Sequence, residues 1–307
     1  MSQTRSPASG QPYGLARVCR AWEVPRSSFY AYCGAAAREQ AEGALALAEG
    51  AQAPKRGNKP GLPDAELLSL IRADLAASPF QGEGHRKVWA RLRHQQHIHV
   101  SKNRILRLMR ENQLLSPHRV PVQDGRAHEG QIITAAPNVQ WGTDGMRVLT
   151  ATQGWVWVFA VVEHWNAECL GFHVAKTGDR FAALVLVLAA LRSLFGLLAK
   201  DMARGLSLRM DHGCQYTSDY FLQQIRLYGL AASFAFLRQP ATNGVVERFF
   251  RTLQEQVIYG RTFRDVDEVR SAVADFVERY NASWRLEKLD YRTPLEARQE
   301  YRKTCAA

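Results

Sequence analysis

Residues 138–176 read NVQWGTDGMRVLTATQGWVWVFAVVEHWNAECLGFHVAK. Three apolar or alternating runs follow one another here: NVQWGTDGMRVLT, WVWVFAVVEHW and ECLGFHVAK. Gln153-Gly154 parts the first two, and Asn166-Ala167 the next pair. Joints this short between runs rich in β-branched and aromatic residues predict antiparallel hairpins. Downstream the texture alternates. Asp179 stands where it would cap a long apolar helix reaching about Leu198, and LSLRMD reads as a fourth strand. SDYFLQQIRLYG reads as a helix ended by Gly229, AASFAFL as a fifth strand, and NGVVERFFRTLQEQVI as another helix. The order β-β-β-α-β-α-β-α implies a mixed five-stranded sheet flanked by helices, an α/β layered structure.

Three carboxylates stand where the fold alone does not ask for them. Asp144 lies inside the first apolar strand, between Thr143 and Gly145, although Asp is poorly suited to strand interiors. Asp211 closes the fourth strand, and Glu247 opens a helix just after Asn243-Gly244. If strands one and four are neighbours, Asp144 and Asp211 face each other, and the helix after strand five can bring Glu247 alongside. Clustered carboxylates repel unless cations neutralise them, and Mg²⁺ or Mn²⁺ prefers oxygen ligands. Two such ions about 3.5–4 Å apart would clamp the attacking and leaving oxygens of a phosphodiester displacement. Each acid also has a structural reading on its own: a turn for Asp144, a strand cap for Asp211, a favourable helix-dipole position for Glu247.

The first half of the chain is helical and basic. In residues 14–33, GLARVCRAWEVPRSSFYAYC, an apolar face of Leu15, Val18, Cys19 and Trp22 is broken at Val24-Pro25. Pro25 suits the first turn of a second helix, which would carry Arg26, Ser27 and Ser28 at its start. This is a helix-turn-helix pattern, in which early residues of the second helix meet DNA; an ordinary helical hairpin is the alternative. Residues 34–62 are rich in Ala, Gly, Pro and Lys and read as a linker ending in KRGNKPG. A second helical module, 63–125, follows. Asp64 is expected to cap a helix burying Leu67, Leu68, Ile71 and Leu75. HRKVWARLR turns Val88, Trp89 and Leu92 to one face. Ser101 is expected to cap SKNRILRLMRENQLL, which buries Ile105, Leu108 and Met109. Residues 63–120 hold ten Lys and Arg against five Asp and Glu. Such a face, with Arg86, Lys87, Lys102, Arg104 and Arg107, suits phosphate contact, or serves simply as a solvated surface. His94, His97, His99 and His118 lack a Cys pair or an HxxxH repeat, which argues against zinc.

The bulk numbers agree with a polyanionic partner. The net charge is +11, and it is uneven. Residues 1–130 hold 19 Lys and Arg against 11 Asp and Glu; residues 131–307 hold 21 against 18. Nucleic acid is the leading partner, with plain solubility as the alternative. Nearly half the residues are hydrophobic, so wholesale disorder is not expected. Five scattered cysteines, Cys19, Cys33, Cys169, Cys214 and Cys305, argue against a disulfide scaffold and for a reducing compartment. The first residues, MSQTRSPASG, lack the apolar core of a signal peptide. The apolar run Phe181–Leu191 stops at Arg192, too short for a membrane span.

Taken in order, these blocks resemble the transposases of the IS-three type of insertion sequence, in particular their second-reading-frame product. That group belongs to the DDE superfamily with the retroviral integrases. WGTD at 141–144 is similar to the block of the first catalytic Asp, and DHGCQYTS at 211–218 to the second. NGVVERFFRTLQEQ at 243–256 is similar to the third, and 35 residues separate Asp211 from Glu247, the superfamily's spacing. RYNASWRLEKLDYRTPLEAR at 279–298 resembles the family's C-terminal signature. The helices of 85–93 and 101–115 resemble its DNA-binding module.

The resemblance implies a ribonuclease-H-like core over 132–300 with a C-terminal helical extension. It implies two Mg²⁺ or Mn²⁺ ions at Asp144, Asp211 and Glu247, cleavage of double-stranded DNA at element ends, and strand transfer. It further implies multimers on paired ends, a first-frame partner protein, no membrane association, and action at the bacterial nucleoid in the cytoplasm. Two positions depart from the family pattern. Gln254 stands where relatives carry Lys or Arg seven residues after the catalytic Glu, and Arg251 shares roughly that face and offers a charge in its place. Glu163 replaces an Asp and conserves its charge. Trp141, Trp155 and Trp157 read as core, Tyr280 as packing, Asn281 and Arg285 as possible DNA contacts, and Gln239, Pro240 and Asn243 as a loop before the last catalytic helix. The competing functional readings are a catalytically silent DNA-end-binding regulator or relic, and a nuclease of the same fold.

Overall fold

The computed structural model describes residues 4–7, 9–35, 61–116, 134–235 and 243–306. Most of the expected linker, together with His118, Gln239 and Pro240, lies outside them. The chain divides into two compact units, Met1–Gly61 and Leu62–Ala307.

In the first unit, α1 (Leu15–Ala21) ends at Trp22, and a second helix, α2, covers 26–35 of the described residues. The carbonyl of Pro25 accepts from Phe29, so proline sits at the helix start, where its missing N–H costs nothing. Arg26 and Ser27 are exposed on its first turn. Of the expected apolar face only Cys19 is buried; Leu15 and Val18 are half-buried and Trp22 is 65% exposed. Trp22 sits one residue past the helix, where the chain has left the helical path, and so falls off that face.

The second unit begins with three helices, α3 (Asp64–Ala77), α4 (His85–His94) and α5 (Lys102–Glu111). Leu67, Ile71, Val88, Leu92, Ile105, Leu108 and Met109 close around one core. Leu68 and Leu75 are only half-buried. Ser101 caps α5 by accepting from the Arg104 N–H. Asp64 does not cap α3. That position belongs to Pro63, and the Asp64 carboxylate reaches across to Arg104 and Arg107 of α5. Those two guanidinium groups, Arg107 foremost, hold Asp64 below the usual carboxylate range. Beneath the surface Arg91 bonds both Asp74 and Glu83, acids that are 6% and 1% exposed. Burial alone would lower the Arg91 proton affinity, but these two acids raise it.

The sheet runs β3-β2-β1-β4-β5, with β1 Gln140–Thr150, β2 Gly154–Glu163, β3 Cys169–Ala175, β4 Ser207–Met210 and β5 Ala231–Phe234. The first three strands are antiparallel; β4 lies parallel to β1, and β5 to β4. This mixed five-stranded sheet flanked by helices is the ribonuclease-H-like arrangement expected above. β2 is apolar on both faces because both are covered. Val156, Val158, Ala160 and Val162 face α9 (Gly244–Leu253) and α10 (Val266–Ser283). Phe159 and Val161 face α6 (Arg180–Phe195), α7 (Cys214–Thr217) and α8 (Asp219–Leu227). Asp179 caps α6 as expected, accepting from Phe181 and Ala182. Gly229 takes a φ of +87° after α8, a left-handed turn that favours glycine. A π-helical turn, Gln254–Ile258, extends α9, and α11 (Pro294–Ala306) closes the fold.

Two expected roles change in this setting, those of Trp155 and Asn281. Trp155 is 56% exposed, under the Arg147 guanidinium, while Trp141 is fully buried. Asn281 is braced on β3, bonding the N–H and the carbonyl of Cys169. Glu163 is fully buried and accepts from the N–H groups of Asn138, Trp141 and Trp165.

Candidate active site

Parallel pairing of β1 with β4 decides where the acids meet. The register matches Gly142 with Arg209, so two residues on, Asp144 stands level with Asp211, the first residue past β4. Both carboxylates bond a nearby backbone N–H: Asp144 that of Gly145, Asp211 that of Gly213. α9 packs across β1 and β2, and Glu247 sits in its first turn, exposed. Burial pushes the Asp144 carboxyl up to about 6; the Gly145 N–H opposes this, and the negative charges of Asp211 and Glu247 add to it. Burial also raises Glu247. Among the described residues no cation figures in the groups acting on Asp144.

The carboxylates rest on a layer built from small and rigid groups. A Cβ on Gly145 would come within 2.6 Å of the fully buried Phe159 ring, so β1 needs glycine next to Asp144. On the other side, Thr143 shares a hydrogen bond with the buried Tyr216 hydroxyl. Burial drives the Tyr216 proton affinity upward, and the charges of Asp144 and Asp211 add to this. Asn243, 3% exposed, donates to the Thr143 carbonyl and ties the start of α9 to β1. Its Oδ1 would lie 3.1 Å from a Cβ on Gly142, and His164 Nε2 3.3 Å from it. Burial, with the charges of Lys288 and Arg209, pushes His164 down to about 4, so its ring is neutral near pH 7. Gly142, Tyr216 and His164 carry no recognisable chemistry in the sequence. Only strand register reveals that they underlie the acids.

The donor set is oxygen-only, which fits Mg²⁺ or Mn²⁺. Among the described residues no three His, Cys, Asp or Glu side chains stand close enough to hold an ion together. Asp144 and Asp211 are brought side by side, while Glu247 is within electrostatic reach.

A family profile described as "HTH-like domain" matches residues 64–121, and one described as "Integrase core domain" matches 228–294, which includes Glu247. The transposase InsD of insertion element IS2A/D/F/H/I/K from Escherichia coli is 26% identical over 246 residues, 76% of this chain and 78% of the relative. The IS2-9 transposase InsD of strain K12 matches at the same identity over 76% of its length. The chain is homologous to the insertion-element transposases. Among solved structures, the catalytic core domain of BIV integrase aligns over 55% of this chain and 99% of its own, at 17% identity and a TM-score of 0.41. The HTLV-2 integrase catalytic core domain in complex with magnesium aligns over 53% and 97%, at 16% identity and a TM-score of 0.37.

In the second unit of this transposase homologue the basic residues singled out for DNA contact are engaged within the chain; Arg26, in the first unit, is exposed. Arg86 pairs with Glu287, and Lys87 pairs with Glu83 and lies over the Trp284 ring. Lys102 donates to the Tyr291 hydroxyl and lies over Trp89. Arg104 and Arg107 hold Asp64. Arg251 pairs with Glu255, and Gln254, the first residue of the π turn, accepts from the Tyr259 hydroxyl. The helical module is thereby docked on the C-terminal extension of the core. Phe80 packs against Phe276 and Trp284, and Gln81 and Gln256 exchange two hydrogen bonds. Among the described residues no helix is long and apolar enough to cross a membrane.

Proposed function

We propose that the protein is a DDE transposase that cleaves DNA at the ends of an insertion sequence and transfers the freed strand to a target. One observation carries this reading. Asp144 and Asp211 stand level on neighbouring parallel strands, with Glu247 on the helix laid across them, and among the described residues no cation acts on Asp144. Homology to the InsD transposases over 76% of the chain supports it.

In cleavage, water attacks an end phosphodiester and the 3′-oxygen leaves as a hydroxyl. In transfer, that hydroxyl attacks a target phosphodiester, joining the strands and releasing a target 3′-hydroxyl. Asp144, Asp211 and Glu247 are the residues that would hold two Mg²⁺ or Mn²⁺ ions, which when bound supply activation of the attacking oxygen and neutralisation of the departing one. Asn243 and Tyr216 fix the backbone beneath the acids, and Phe159 keeps the layer below them dry. Double-stranded DNA is the substrate, met by an oligomer of this chain on paired ends, with a first-frame protein as partner, at the bacterial nucleoid.

The test is nicking of DNA carrying the cognate end, with and without Mg²⁺. Asp144→Asn, Asp211→Asn and Glu247→Gln are each expected to abolish nicking while leaving DNA binding largely intact. Equal nicking by wild type and all three variants would remove the catalytic reading. Binding without nicking in the wild type would leave a DNA-end-binding regulator.

A further inference from the structure

A cleft of about 630 Å³ opens between the first turn of α4, one face of α9 and residues 284–291. Its size is that of a ligand site rather than a packing defect. His85, Arg86, Lys87, Arg248, Arg285 and Lys288 line it, against a single acid, Glu287. Its floor is aromatic, from Phe249, Tyr280 and Trp284. α4 has neither an acidic residue in its first turn nor a side-chain cap, so the N-terminal N–H groups add to the positive field rather than being cancelled. Burial, and then the Arg248 charge, pushes Lys288 down to about 8.

The cleft shares a helix with one of the acids. Val245, Arg248, Phe249 and Thr252 form the cleft-facing side of α9. Glu247 precedes Arg248 by one residue, about 100° around the helix. Arg248 is exposed, and its guanidinium has no carboxylate partner among the described residues. An exposed guanidinium at the side of a basic cleft suits a nucleic-acid strand, whose phosphates it meets.

We propose that this cleft is a phosphodiester-binding groove, and that Arg248 contacts the DNA strand engaged at the three carboxylates, supplying the charge that Gln254 lacks. The proposal rests on the transposase reading, and its test is separable from it. Binding of a fluorescein-labelled DNA duplex of arbitrary sequence to the full chain is followed by anisotropy over a range of KCl, without divalent metal so that no cleavage occurs.

Arg248→Gln is expected to weaken binding roughly threefold or more and to flatten the slope of log affinity against log salt by about 0.9, the value for one lost phosphate contact. Arg248→Lys is expected to restore most of both, and Arg248→Glu to lose more than Arg248→Gln. Because Arg248 is exposed, the thermal midpoints are expected to match that of wild type. Arg204→Gln, 81% exposed at its side chain and outside the cleft, controls for net charge. Equal slopes for wild type and Arg248→Gln would overturn the proposal, as would an equal loss in Arg204→Gln. Displacement of DNA by inorganic phosphate at fixed ionic strength would also overturn it, by revealing a small-anion pocket. Nicking is scored separately. A wild type that never nicks sinks the transposase reading, while the salt slopes still decide the groove.

Discussion

Two groups of acids in the same compact unit are handled in opposite ways. In the helical module, Asp74 and Glu83 are buried against Arg91, which bonds both. In the sheet, Asp144 and Asp211 are brought level and Glu247 laid near them, yet among the described residues no cation acts on Asp144. The first group is closed on itself and serves the fold. In the second, burial and the neighbouring negative charges raise the Asp144 carboxyl, a cost to stability of the kind that clusters at functional sites.

Removing the cation should break the contrast most severely. Arg91→Leu leaves two acids buried without their partner and is expected to cost about 3–5 kcal/mol in denaturant unfolding. A loss under 1 kcal/mol would show that Asp74 and Glu83 are not held as described. The reverse effect is expected at the sheet. The folded-state pKa of Asp144 is raised to about 6 from 3.8, so its charge destabilises the metal-free fold above pH 6. That penalty shrinks as pH falls from 6 towards 4 and vanishes below it. Asp144→Asn is therefore expected to raise metal-free stability near pH 7, by about 3 kcal/mol at most, and to change nothing near pH 3.5.

Magnesium sharpens the same point. A saturating ion should stabilise wild type by roughly 2.7 kcal/mol at a hundred times its dissociation constant, and Asp144→Asn far less. Identical thermal shifts in the two would argue against Asp144 as a ligand. The smallest effect belongs to an acid paired at the surface. Arg107→Gln loosens its exposed bond to Asp64 and is expected to move stability by less than about 1 kcal/mol.

Much of this architecture is written locally in the chain. The doubly apolar run of β2 announces a strand covered on both faces, and Asp179 and Ser101 announce their helices because a cap needs only the next three residues. The meeting of Asp144 with Asp211 follows once β1 and β4 are taken as parallel neighbours. What stayed hidden depends on partners far along the chain. Asp64 has the composition of a cap, but two arginines 40 and 43 residues away claim it. Asn281 has the look of a DNA contact, but its amide matches the free backbone groups at the start of β3. Lys87 and Lys102 look like part of a solvent-facing basic stripe until aromatic residues 284 and 291 fold against them. The change of turn at Gln254 carries no sequence mark that periodicity would catch.

The helix bearing Glu247 is fastened at both ends. Asn243 pins its start to β1, and Gln256, roughly 20 Å further along the rod, grips the main chain at Gln81 in the neighbouring module. A rod held in this way cannot slide or swivel alone. Any displacement of that module would therefore be passed along the rod to Glu247.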